Sequence, residues 1–65
     1  MVITVLEISE HNVGNFVAMY NGQLYACQLS NPIRDMKILK RSKGKAVEVI
    51  AAQNGPAHFL ITSIK

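Results

Sequence analysis

Asn21-Gly22 stands between two β-favouring runs, Asn15 to Tyr20 and Gln23 to Leu29. A two-residue hairpin loop of type I′ needs positive φ at both central positions, and Asn-Gly adopts it at low steric cost. The pair therefore predicts a β-hairpin and fixes its register. Tyr20 falls opposite Gln23, Met19 opposite Leu24, Ala18 opposite Tyr25, Val17 opposite Ala26, and Phe16 opposite Cys27. One face then carries Val17, Met19, Leu24 and Ala26. The other carries Phe16, Ala18, Tyr20, Tyr25 and Cys27.

Around this hairpin the chain divides into further short elements. Val2 to Ile8 is rich in β-branched residues and reads as a strand. Ser9 to Gly14 is polar and reads as a loop. After the hairpin, Asn31 can cap a helix and Pro32 suits its first position, so Pro32 to about Lys40 is predicted as a short helix. Ile33, Met36 and Leu39 are expected along its inner face and the cations along the other. Lys45 to Ala52 and Ala57 to Ile64 complete five strands, with Gln53-Asn54-Gly55-Pro56 as the turn between them.

Three strands, a helical connector and two strands match the order of the OB-fold. The expectation is an all-β fold of one domain over residues 1–65. It is a small five-stranded antiparallel OB-like barrel with the helix between strands three and four. The alternative, an SH3-like barrel, places its helical turn between the last two strands. In the OB-like barrel the aliphatic hairpin face is the more natural interior, which leaves Phe16, Tyr20 and Tyr25 outside on strands two and three. OB-folds bind oligonucleotides on that surface by stacking bases on rings, at about 1–3 kcal/mol per base. Core or rim packing and a protein interface are the two other readings of the same rings.

Charge is distributed unevenly. Of the seven Lys and Arg residues, six lie between Arg34 and Lys45, where Asp35 is the one acid. Arg34, Lys37, Lys40, Arg41, Lys43 and Lys45 are expected to hold phosphates, in a chain of net charge +3. The plainer reading is a solvated helix face whose cations favour the C-terminal end of the dipole. Solubility alone tends to intersperse both signs, which favours anion binding.

Several classes are set aside on residue inventory. A single cysteine, Cys27, excludes an internal disulfide, and the two histidines lack metal-ligand spacing. The four acids form no positioned pair for general acid–base work. A Cys27–His58 nucleophilic pair requires strands three and five to approach, and a strand cysteine is more often a small buried hydrophobe. No enzyme activity, metal or cofactor is expected. The apolar start lacks the features of a signal peptide and no run is long enough to span a bilayer, so the expected compartment is the cytoplasm.

Thr4-Val5-Leu6-Glu7, the spacing of Val17, Met19, Asn21-Gly22, Cys27, Leu29 and Ser30, and then Arg34, Ile38, Gly44 and Val47 together resemble bacterial translation initiation factor 1 and the S1-type OB modules. The likeness covers most of the chain. It implies an OB-fold with RNA as ligand, and a ribonucleoprotein as the wider partner. The chain departs from the family at Gly44-Lys45, at Phe16, Ala18 and Tyr20, and in a last strand without arginines, and so reads as a divergent module. The expected function is a non-enzymatic module for single-stranded nucleic acid, RNA in preference to DNA. The alternative is a protein-interaction or homo-oligomeric accessory or inhibitory module that uses the aromatic hairpin face.

Overall fold

In the computed structural model, which describes residues 1–65, the first strand, β1, spans Val2–Ile8. The hairpin follows as β2 (Asn15–Tyr20) and β3 (Gln23–Leu29). Asn21 and Gly22 take φ of 51° and 76°, as a type I′ turn requires. Every cross-strand pair from Phe16↔Cys27 to Tyr20↔Gln23 stands in the predicted register.

Helix α1 (Pro32–Arg41) comes next. Asn31 Oδ1 accepts the Arg34 backbone N–H at 3.2 Å, and Pro32 occupies the first turn, where its missing N–H costs nothing. The helix ends as Ser42 N–H donates to the Leu39 carbonyl and Ser42 Oγ to that of Ile38. No helix is long and apolar enough to cross a membrane. Strands β4 (Ala46–Gln53) and β5 (His58–Ile64) complete the chain.

The strands close in the order β1-β2-β3-β5-β4, with β4 returning to β1. This is the OB-like arrangement, with the helix between β3 and β4. Four ladders are antiparallel as expected, while β3 and β5 pair in parallel from Ala26↔His58 to Leu29↔Ile61. The exception is geometric: an odd number of strands cannot alternate direction all the way round a ring.

The interior corrects one expectation. Phe16, Ala18 and Cys27 are buried in the core with Ile3, Val5, Leu29, Phe59 and Ile61. Val17, Leu24 and Ala26 are exposed. The two faces of the hairpin were separated correctly, but the aromatic one points inward. Burying rings removes about 150–250 Å² each, and the aliphatic face offers none. Small Ala18 and Cys27 leave room for Phe16 and Phe59, the alternation of sizes by which small barrels fill.

The helix face shifts as well. Asp35, Leu39 and Ser42 are buried, whereas Ile33 is 98% exposed. Positions i, i+3 and i+6 drift by about 60° per step, so Ile33, Met36 and Leu39 cannot share a narrow face. Residues 35, 39 and 42 can.

Phe16→Ala is expected to destabilise the fold by about 3–5 kcal/mol. Leu24→Ala, on the exterior, should change stability by about 0.5 kcal/mol or less. Urea unfolding followed by circular dichroism measures both, and the opposite ranking would place the aliphatic face inside.

Candidate nucleic-acid interface

Two of the rings expected to stack bases, Tyr20 and Tyr25, are spent on each other and on Phe59. Tyr25 lies on Phe59 with centroids 4.2 Å apart and planes at 21°. Tyr20 meets both edge-on, at 5.6 Å from Phe59 and 6.1 Å from Tyr25. Tyr20 and Tyr25 are half-buried around this contact, and Phe16 is fully enclosed. Phe16 thus leaves the candidate site outright. The tyrosines keep only partial access, because their faces and edges already pack against Phe59.

Strand directions also separate the rings from the helix. Tyr20 and Tyr25 belong to the hairpin end, beside the start of β5. Helix α1 follows the far end of β3, near Ile8, Asn15 and Thr62. The cations of α1 therefore follow the opposite end of β3 from the tyrosines.

Within the basic segment, Arg34 has a separate task. Its Nε and Nη2 donate to Asp35 Oδ1 and Oδ2 at 2.9 Å each, and Nη2 also donates to the Thr62 carbonyl at 2.6 Å. The Asp35 side chain is 3% exposed. Hydrogen bonds from Arg34, and then its charge, hold that carboxyl below the usual range despite its burial. The pair neutralises the inward acid and ties α1 to β5. Arg34 is thereby bound into the fold, where the sequence placed it among phosphate contacts.

The other five cations, Lys37, Lys40, Arg41, Lys43 and Lys45, are all exposed. Their single ion pair is Lys43 to Glu7 at 3.9 Å, between two exposed side chains. Such a contact is weak. Lys37, Lys40 and Arg41 project from the outer half of α1, and Lys43 and Lys45 continue the positive surface along the turn into β4. Together they form an exposed cationic ridge from α1 to the start of β4, with Glu7 beside Lys43.

Beside the ridge lies a groove of about 510 Å³ that sequence reading missed. Met36, Lys40 and Lys43 line one wall, and Ile8, Ser9, Glu10 and Val13 the other. Met36 and Lys40 are one turn apart on α1 and Lys43 follows its cap, but nothing local shows that the β1–β2 loop lies against them. Gly14 makes that approach possible. Its φ is +89°, and a Cβ there would stand 3.2 Å from Pro32 Cβ. The loop is braced by Ser9 N–H to the Asn15 carbonyl and by Asn12 N–H to Ser9 Oγ.

Cys27 and His58 approach only in sequence register. Ala26 pairs with His58 and Cys27 with Phe59, so alternation turns the two side chains to opposite faces of the sheet. Burial pushes the Cys27 thiol up to about 11. The chain matches no family model, curated protein or solved structure.

The Asp35 carboxyl has a depressed pKa when folded, so its stabilisation is full above the unfolded value near 3.9 and is lost as pH falls through the folded one. Asp35→Asn is expected to melt below the parent at pH 7, with the gap closing as pH drops below about 4. Thermal melts between pH 7 and 2 measure this, and a gap independent of pH would assign the loss to packing alone.

Proposed function

We propose that this chain is a non-enzymatic module that binds nucleic acid through the phosphate backbone. The observation that carries the reading is the ridge of Lys37, Lys40, Arg41, Lys43 and Lys45, exposed and almost free of acidic partners. Cations placed for solubility alone are usually interleaved with acids. An OB-like barrel and the resemblance to S1-type modules support RNA over DNA, single strands over duplex and a cytoplasmic ribonucleoprotein setting. Base stacking on Phe16, Tyr20 and Tyr25 is no part of the proposal, since Phe16 is buried and the tyrosines pack on each other and on Phe59.

Electrostatic binding has a measurable signature. Each neutralised phosphate on a single strand contributes about −0.7 to the slope of log K against log salt. Up to five contacts predict a slope of about −3.5, and Lys40→Ala with Arg41→Ala should make it shallower by about 1.4. Filter binding of a labelled oligonucleotide at several salt concentrations measures both slopes. Absence of binding at low salt, or affinity indifferent to salt, would overturn the reading.

One observation favours a second reading, a protein partner or a homodimer on the hairpin exterior. Met19 and Leu24 are cross-strand neighbours there, as are Val17 and Ala26. Leu24 is 55% exposed and Val17 37%. An uncharged aliphatic block of this kind suits protein contact better than a phosphate chain. On this reading the wild type sediments as a dimer that Leu24→Asp converts to monomer. A wild-type monomer at high concentration counts against self-association.

A further inference from the structure

The groove between α1 and the β1–β2 loop has a chemistry that a polyanion alone does not explain. Lys40 and Lys43 supply positive charge on its helix wall. Opposite them stands Glu10, which a bare phosphate chain would avoid. Val13, 70% exposed, and the half-buried Met36 add apolar surface between the charged groups. Cations, an apolar wall and one acceptor-only carboxylate together match a phosphate joined to a flat heterocycle that carries N–H donors.

Size and rigidity agree with that ligand. The groove, about 510 Å³, falls within the range of small-molecule sites. A base entering it meets a polarisable thioether at Met36, which packs well against aromatic rings. The loop wall is braced by the Ser9–Asn15 and Ser9–Asn12 hydrogen bonds, so little ordering is needed on binding.

Glu10 selects among the bases. An ionised carboxylate only accepts, and its two oxygens suit a pair of parallel N–H groups. Guanine presents N1–H and N2–H side by side on its Watson–Crick edge. Adenine and cytosine place a ring acceptor beside their amino group, and uracil flanks its single N–H with carbonyls. Unpaired bases in single strands are read on this edge.

We propose that the groove holds one guanine nucleotide of the bound strand, an assignment that rests on the nucleic-acid reading above. The base edge meets Glu10, the ring lies against Val13 and Met36, and the adjoining phosphate lies by Lys40 and Lys43. Exposed Glu10 and Val13 can be changed without disturbing the core.

Three labelled or competing probes test this at fixed salt: a uridine oligonucleotide with one central guanine, its adenine counterpart, and inorganic polyphosphate. The guanine probe is expected to bind about tenfold tighter than the adenine probe. Glu10→Ala removes a negative charge and so strengthens the adenine probe and polyphosphate modestly, while the guanine probe loses its partner and the guanine-to-adenine ratio falls near one. Val13→Ser should weaken the guanine probe about threefold and leave polyphosphate unchanged. Equal affinity for guanine and adenine on the wild type, with polyphosphate still bound, overturns the groove assignment alone. A guanine preference that survives Glu10→Ala overturns it too. If neither oligonucleotides nor polyphosphate bind, the backbone reading falls with it.

Discussion

A five-stranded closed barrel encloses a space that only side chains can fill, and in this chain the rings of Phe16 and Phe59 fill much of it. That demand governs the rest of the molecule. Phe16 and Phe59 enter the interior, Tyr20 and Tyr25 close over Phe59, and the small residues Ala18 and Cys27 give way to them. Once the rings are inside, alternation along β2 and β3 sends Val17, Met19, Leu24 and Ala26 outward. The surface most often used by OB-folds is therefore aliphatic here.

Local features were legible because their causes are local. Asn21-Gly22 set the turn and register, and Asn31-Pro32 set the start of α1, since each depends on backbone preferences of one or two residues. The inside and outside of the hairpin were not legible in the same way. Both faces are apolar, and the choice between them depends on what β1 and β5 bring to the same interior. The basic segment shows a similar division. The exposure of Lys37, Lys40, Arg41, Lys43 and Lys45 followed from a charged helix face. The diversion of Arg34 required knowledge of the Thr62 carbonyl, 28 residues away.

The helix links the fold to the candidate site. Its inward residues, Asp35 and Leu39, and the buried cap Ser42 seat it on the barrel, with Arg34 fastening it to β5. Its outward residues carry the ridge, and its flank forms one wall of the groove. On the proposed reading, this ten-residue element carries three of the ridge's five cations, Lys37, Lys40 and Arg41, and one side of the groove. Lys40 and Lys43 belong to both the cationic surface and the groove, whereas Glu10 belongs to the groove alone.

Closure of the ring has a last consequence for how this molecule meets others. Each strand has a hydrogen-bonded neighbour on both sides, so no strand lies with a whole edge open to template another. Backbone pairing with a foreign segment, the route shared by strand addition and fibril growth, is limited to short unpaired stretches while the barrel stays intact. The apolar hairpin exterior can then persist without recruiting neighbouring copies into an extended sheet.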